Sequence, residues 1–263
     1  MRYAVKIISV ILIFSILASY SYAYDSYGWY CIRTKDHSQP TLDEYLSRAE
    51  SYDNFVWIDK KNSSYDSREK IIYLTFDAGY ENGNIEKILD VLKEENVKAT
   101  FFILENLITS SRDLVERMVK EGHLIGNHTC KHKDMSKVSD IEIFRRELEN
   151  LECLFKKNFG VEMPKYYRPP EGKFSIENLE WAEKLGYKTV MWSFAYADWD
   201  NGKQMDNGKA LNKIISNLHN GEVMLLHPTS STNAEIMKEM ILELKNRGYT
   251  FGRIDEIEKE QII

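Results

Sequence analysis

From residue 71 onward, short apolar runs alternate with segments whose apolar residues recur every three or four positions. Ile71–Phe76 is rich in strand formers, and the apolar residues of Ile85–Glu95 fall on one helical face. This change of period predicts a strand followed by an amphipathic helix. The same alternation predicts further strands at Ala99–Ile103, Leu124–Gly126, Tyr166–Tyr167, Thr189–Trp192 and Val223–Leu226. It predicts further helices at Asp113–Glu121, Asp140–Asn158, Ser175–Leu185, Lys209–Leu218 and Asn233–Arg247.

Repeated strand–helix units are typical of parallel sheets covered by helices, either a barrel or an open sheet. No internal repeat and no linker rich in Pro, Gly or Ser interrupts the run, so we predict one α/β domain over residues 68–257. Residues 24–67 are aromatic and polar, with breakers such as Gly28 and Pro40. We expect them to form an irregular N-terminal extension wrapped on that domain.

Residues 1–23 have the layout of a secretory signal peptide. Two basic residues precede an apolar stretch from Ile7 to Ala18, and Ser21 and Ala23 are small residues at the −3 and −1 positions of a cleavage site. A retained membrane anchor is the alternative, but the apolar stretch is shorter than the roughly 20 residues that a spanning helix needs. We therefore expect an exported protein with no stable anchor after cleavage.

Composition limits the partners and the covalent framework. The 263 residues are 43% hydrophobic and 29% charged, a globular balance. The formal net charge is −6, and −8 without the two basic residues of the leader. An acidic chain without a basic cluster does not suit nucleic acid. Cys31, Cys130 and Cys153 are too few for a disulfide framework or a cysteine-based zinc site, although one disulfide is possible. We expect a monomer.

Several polar residues directly follow the ends of predicted strands. In a parallel α/β barrel, the C-terminal strand ends and the loops after them converge on one face, where functional groups gather. The sequence therefore predicts a single site on this face. Its candidate residues are Asp77, His128, His132, Arg168, Asp198 and His227.

His128 and His132 are four residues apart. On a helical turn this spacing places both imidazoles on one face, within reach of one metal ion. Surface histidines also fall at this spacing by chance. Cys130, which lies between them, is expected to be a small packing residue. Three other histidines are assigned to structure: His37, His123 and His219.

Asp77 and Arg168 form a second pair of candidates. A carboxylate at a buried strand end could be an ion-pair partner, a metal ligand or a general base, or simply a turn or helix-capping acid. Arg168 can bind a carboxylate through paired donors, and Pro169 and Pro170 fix the chain direction after it. Arginine next to proline is also common in solvated loops.

His227 could move a proton near neutral pH, since its imidazole follows a strand end. A satisfied core histidine is the alternative. Asp198 could orient that imidazole, and Trp199 could line a sugar site or belong to the core.

Taken in order, these residues resemble the five motifs of the polysaccharide deacetylases (carbohydrate esterase family 4) across about residues 68–255. The motifs here are Thr75-Phe76-Asp77, His128-Thr129-x-x-His132, Arg168-Pro169-Pro170, Asp198-Trp199 and Leu225-Leu226-His227. The chain is also similar to a narrower branch, the δ-lactam-biosynthetic (muramic acid) de-N-acetylases of spore-forming bacteria. That similarity rests on Tyr73–Gly83, Lys87–Lys93, Gly126–His128, Arg168–Ser175 and the pair Trp29-Tyr30.

The resemblance implies a distorted (β/α) barrel and metal-assisted hydrolysis of an acetamide. His128 and His132 would hold one divalent cation, zinc or alternatively manganese, cobalt or magnesium. Asp77 would be the general base, kept ionised and oriented by Arg168. The cation and the backbone N–H of Tyr80 would stabilise the oxyanion.

The resemblance also implies a general acid and residues that line the sugar-binding site. His227, oriented by Asp198, would protonate the departing amine. Trp199 and Pro170 would contribute to the substrate site. The implied function is an exported peptidoglycan N-deacetylase that acts on N-acetylmuramic acid already stripped of its peptide, leading to muramic δ-lactam in spore cortex.

Three positions depart from the family pattern. Ala78 stands where the wider family has a second aspartate as a metal ligand, so we expect a functional site with a labile metal. Ala195 replaces an acid, and Glu171 adds a negative charge near the site. Two other functions therefore stay open: a deacetylase of N-acetylglucosamine, chitin or acetylated xylan, and a non-catalytic glycan-binding protein.

Overall fold

The computed structural model describes residues 26–63 and 69–259, so the expected signal peptide, residues 1–23, lies outside the described residues. The strands are β1 (Tyr27–Gly28), β2 (Phe55–Val56), β3 (Lys70–Ala78), β4 (Thr100–Ile103), β5 (Leu124–Asn127), β6 (Tyr166–Tyr167), β7 (Lys173–Phe174), β8 (Lys188–Val190), β9 (Glu222–Leu226) and β10 (Tyr249–Gly252). The α-helices are α1 (Glu44–Ser47), α2 (Ile85–Glu94), α3 (Glu105–Ser110), α4 (Arg112–Lys120), α5 (Ile141–Phe159), α6 (Ile176–Lys184), α7 (Asn207–Ser216), α8 (Ser231–Asn246) and α9 (Ile254–Lys259).

Eight strands form one curved sheet whose pairings are all parallel. The order is β2, β8, β6, β5, β4 and β3, with β9 on the far side of β3 and β10 beside the first residues of β3. Isolated bridges join β9 to Ile58 and Phe194, which follow β2 and β8. The sheet thus curls back on itself, which confirms the predicted distorted barrel rather than an open sheet.

Burial on both faces explains the apolar strands. Residues 72–76 of β3 are all buried, because one face meets the barrel interior and the other meets the helices. Helix α2 buries Ile85, Ile88, Leu89 and Leu92, the face that the sequence periodicity predicts. Each such aliphatic side chain contributes about 1.5–3 kcal/mol by leaving water.

Seven of these strands and helices were not predicted: β1, β2, β7, β10, α1, α3 and α9. Strand β2 is only two residues long and carries no periodicity, yet it pairs with β8, so part of the N-terminal extension belongs to the sheet. Strand β10 extends the pairing of β3 along residues 70–73.

The rest of the extension packs on the barrel through aromatic side chains. Strand β1 pairs with β7 in antiparallel fashion, and the Trp29 indole Nε1 donates to the Trp192 carbonyl at 2.8 Å. The Trp29 ring contacts the rings of Phe55 and Trp57, with centroids 5.4 and 5.5 Å apart. All three cysteines are free thiols. Within the described ranges, no helix has both the length and the apolar character needed to cross a bilayer.

Candidate active site

Asp77 and Arg168 form an ion pair at the floor of the site. Asp77 lies near the end of β3 with its carboxylate 9% exposed, and Arg168 Nη1 donates to Asp77 Oδ1 at 2.9 Å. The buried guanidinium also donates to the carbonyls of Val190 and Met191 at 3.1 Å each, and it lies over the Phe102 ring. These contacts fix the guanidinium, which in turn orients Asp77.

The surroundings of Asp77 keep it ionised. Burial alone would raise the pKa of this carboxyl, but the charges of His128, Arg168 and His227 together lower the pKa below its ordinary value. Burial also lowers the pKa of His128 to about 4, so this imidazole is neutral at neutral pH. At neutral pH the charges of Arg168 and His227 therefore hold Asp77 in its anionic form.

His128 has a defined tautomer. Its Nδ1 lies 2.9 Å from the Arg168 carbonyl oxygen. Because a carbonyl only accepts, Nδ1 carries the proton, and the lone pair is on Nε2. Nε2 lies 3.6 Å from Asp77 Oδ2. A neutral imidazole with its second nitrogen hydrogen-bonded to a carbonyl is a suitable metal ligand.

His132 lies beside His128, with ring centroids 5.1 Å apart. The prediction of a helical turn between them is wrong, because Thr129 and His132 have φ values of 72° and 53°. Side chains hold this left-handed turn: Asn127 Oδ1 accepts from the Thr129 amide at 2.8 Å, and Thr129 Oγ1 accepts from the His132 amide at 3.0 Å. The turn brings the two rings together by a different route.

Two neighbouring imidazoles are chemically suited to binding a divalent metal ion. No group of three or more His, Cys, Asp or Glu side chains suited to an ion occurs in the part of the chain that the structure describes. Ala78 is fully buried in the main hydrophobic cluster and offers only a methyl group. A cation here would have two nitrogen ligands and water in its other positions.

His227 and Asp198 form the second ion pair of the site. Asp198 Oδ1 lies 2.8 Å from His227 Nδ1, and Asp198 Oδ2 accepts from the His227 amide at 2.8 Å. Asn233 Nδ2 donates to the same oxygen at 2.6 Å, and the Tyr196 hydroxyl donates to Asn233 Oδ1. Asn233 and Tyr196 were not predicted as site residues, since neither carries a recognisable local motif.

This arrangement favours the protonated imidazole. Burial alone would lower the pKa of His227, but the hydrogen bond and the charge of Asp198, with the charge of Asp77, raise the pKa above its ordinary value. The His227 side chain is 25% exposed. A protonated imidazole can therefore reach a bound molecule and donate to it.

One cleft of about 700 Å³ contains these groups. Trp199 is 61% exposed at its rim, and Tyr80 is 45% exposed. Pro170 was expected to contribute to the substrate site, but it is buried and is not among the residues that line the cleft, whereas its neighbour Glu171 is. The cleft is lined by Asp77, Gly79, Tyr80, Leu104, His128, His132, Glu171, Trp192, Ala195, Tyr196, Trp199, Leu225, His227 and Thr229.

The other histidines lie outside the cleft. His123 is buried, and its Nδ1 accepts from the Ala99 amide at 3.1 Å. His37 Nδ1 contacts the Leu218 carbonyl at 2.7 Å, and His219 is buried against Ser193. Cys130 is buried. The structural assignments of the sequence analysis agree with these positions.

A barrel with a buried carboxylate, two neighbouring imidazoles and a third imidazole bonded to an aspartate has side chains suited to a hydrolase in one cleft. The profile of the family described as polysaccharide deacetylase matches residues 64–190. Peptidoglycan-N-acetylmuramic acid deacetylase PdaA of Bacillus subtilis is 40% identical over 236 residues, which are 89% of this chain and 87% of that protein. The chain belongs to the polysaccharide deacetylase family.

Two further comparisons agree with membership of that family. A solved structure of Bacillus subtilis PdaA, described as a family 4 carbohydrate esterase, has a TM-score of 0.83 at 37% identity and covers 90% of this chain and 98% of that one. A peptidoglycan-N-acetylglucosamine deacetylase of Bacillus cereus is 33% identical and covers 76% of this chain and 74% of that protein.

Proposed function

We propose that this protein is a peptidoglycan N-deacetylase that hydrolyses the acetamide of N-acetylmuramic acid in glycan strands. The observation that carries the proposal is the presence of a base and an acid in one cleft, each with its protonation state set by a partner. Asp77 is held anionic by Arg168, and His227 is held protonated by Asp198. The relative named for the muramic activity is 40% identical to this chain over 236 residues.

Asp77 and His227 carry out the two proton transfers of the proposed reaction. A divalent ion bound at His128 and His132 would supply a Lewis acid and an acidified water. Asp77 accepts the proton of the attacking water, and Arg168 holds the carboxylate in place during the transfer. His227 donates its Nε2 proton to the sugar nitrogen as the carbon–nitrogen bond breaks. Trp199 and Tyr80 provide exposed rings on which the sugar can lie.

The finer biological assignment is also part of the proposal. We assign the activity to exported protein acting on glycan strands without peptide, where the freed amine can close onto the lactyl carboxyl to give muramic δ-lactam, as in spore cortex. The resemblance to the muramic branch and the leader-like residues 1–23 support this assignment.

Mass spectrometry of peptide-free glycan strands tests the reaction. Incubation with protein and a divalent metal should release acetate and lower the mass of muramic units, and Asp77→Asn should abolish both changes. His128→Ala and His132→Ala should each lower the metal content of purified protein. Absence of acetate from wild-type protein loaded with zinc, manganese or cobalt would contradict the proposal.

Two other functions remain as outcomes of the same experiment. Release of acetate only from glucosamine units would favour an N-acetylglucosamine deacetylase, the activity named for the relative from Bacillus cereus. Glycan binding without acetate release, unchanged in Asp77→Asn, would favour a non-catalytic protein.

A further inference from the structure

The turn after Pro170 places an acidic side chain in the cleft wall. Glu171 has φ 58°, a left-handed conformation that is uncommon outside glycine. Its carboxylate is half exposed and lines the same cleft as Asp77 and His227. A non-glycine residue in this conformation persists only where the surrounding structure holds it.

The N-terminal extension and the barrel hold this turn from behind. The Trp29 amide donates to the Gly172 carbonyl at 2.9 Å. A Cβ at Gly172 would lie 2.7 Å from the Trp192 ring and 3.1 Å from Trp29, so only glycine fits between them. The backbone of Glu171 is therefore fixed in this conformation, and its side chain lines the cleft.

The charge of Glu171 on the cleft wall is unbalanced, because its lysine partner is not among the residues that line the cleft. Lys173 Nζ pairs with Glu171, whereas Asp134 Oδ2 lies 3.1 Å from Lys137 Nζ and 3.9 Å from Lys173 Nζ. Among the described residues that line the cleft there is no lysine or arginine, and the imidazole of His227 is its cationic group. Arg168 is fully buried beneath Asp77 and already bonded.

The chemistry of the substrate makes the unbalanced charge of Glu171 relevant to specificity. In a muramic unit the lactyl ether is on C3, next to the acetamide on C2, so the lactyl group must enter the cleft whenever the acetamide reaches Asp77. Without a peptide stem, that group ends in a free carboxylate. A glucosamine unit has a neutral hydroxyl at C3, and a peptide-bearing muramic unit has a neutral amide.

We infer that Glu171 is a specificity-determining residue that opposes a free lactyl carboxylate, so that it sets how strongly the enzyme prefers muramic over glucosamine units. This inference rests on the proposed function. Like charges in the same cleft repel, and the repulsion weakens with salt. Lys173 reduces the effect of Glu171 without cancelling it.

Glu171→Gln tests the inference, since it removes the charge and keeps the backbone and length. Peptide-free strands contain both sugars, so mass spectrometry of one digest gives both rates. We expect kcat/KM for muramic units to rise about three- to tenfold, with the rate on glucosamine units changed less than about twofold. Added salt should raise the muramic rate of wild-type protein but not that of the variant.

Glu94→Gln is the matched control, because Glu94 is an exposed acid paired with Lys238 and does not line the cleft. It should leave the ratio of the two rates unchanged. Lys173→Gln should move the ratio in the direction opposite to Glu171→Gln. An unchanged or lowered muramic-to-glucosamine ratio in an active Glu171→Gln enzyme would overturn the inference and leave the proposed function standing. Absence of acetate from both sugars in wild-type protein would remove both.

Discussion

Strand β9 has a histidine–carboxylate pair at each end. At its start, His219 Nδ1 lies 3.2 Å from Glu222 Oε2, and after its end, His227 Nδ1 lies 2.8 Å from Asp198 Oδ1. Burial lowers the pKa of His219 to about 4 and raises the pKa of Glu222 well above its ordinary value. The pKa of His227 is raised instead, although burial acts against it. Burial therefore favours the neutral forms of the first pair, whereas Asp198 favours the protonated form of His227.

The number of N–H donors on each carboxylate explains the difference. Asp198 accepts from the amide and the ring of His227 and from Asn233. Glu222 Oε2 is 3.3 Å from the His219 amide, and Glu222 Oε1 has no partner among the described residues. A buried carboxylate keeps its charge only where enough donors replace water. Proximity of a histidine to an acid does not by itself make a proton-transfer pair.

A serine hydroxyl group also contacts the histidine of the buried pair. Ser193 Oγ lies 2.8 Å from His219 Nε2, an arrangement like that of a hydrolytic triad. Ser193, His219 and Glu222 are all buried, however, and none of them lines the cleft. We therefore interpret this cluster as structural, and the two ends of β9 should separate cleanly on mutation.

The largest expected effect is that of His227→Gln. Loss of the acid should lower kcat by about 10²–10⁴-fold, because the amine would leave without a proton. The thermal midpoint should change little, since His227 is at the cleft surface. Acetate release and a thermal melt measure the two quantities.

His219→Gln is the matched change at the other end of β9. It should lower the free energy of unfolding by about 1–3 kcal/mol through lost buried hydrogen bonds, while kcat of the folded protein stays within about twofold. If His219→Gln lowered kcat as much as His227→Gln does, the division of roles along β9 would be wrong.

Asp198→Asn should have the next largest effect. The amide keeps the shape but removes the negative charge that helps keep His227 protonated, so we expect kcat to fall about 10- to 100-fold at pH 7.5. Part of the activity should return at pH 6, because more of the imidazole is then protonated. Equal losses at both pH values would contradict a role through the pKa of His227.

The wild-type pH–rate profile should depend on the pKa values of His227 and Asp77. His227 must be protonated to act, and its raised pKa keeps it protonated above pH 6.5, so activity should fall only as pH rises past that raised pKa. Asp77 must be ionised, and its lowered pKa keeps it ionised to below pH 3.8. A falling limb that moves to lower pH in Asp198→Asn would sharpen the assignment.

The sequence was sufficient to predict most of the alternating strands and helices, because these depend on local periodicity, and the structure brings the six candidate residues at the strand ends together. It did not predict the side chains that position those residues. Asn233 Nδ2 donates to Asp198, 35 positions away, and Asn127 Nδ2 donates to the Leu148 carbonyl, 21 positions away, so only the fold brings these groups together. The left-handed conformation of Thr129 was also not predicted, although the Asn127 side chain that accepts from its amide is only two positions away.

The smallest expected effect is that of Glu222→Gln on the pH dependence of stability. The folded-state pKa of Glu222 is raised, so its contribution favours folding below its unfolded value near 4.5 and is lost as pH rises. His219 has the opposite dependence, because its pKa of about 4 makes stability decline as pH falls from 6.5. Removing the titrating acid should therefore raise the free energy of unfolding relative to wild type by about 1–2 kcal/mol at pH 7.5 and by less at pH 4.5. Urea unfolding at the two pH values measures this difference. A relative loss of stability at pH 7.5 would show that Glu222 is ionised in the folded protein, and the contrast between the two ends of β9 would then rest on access to the cleft alone.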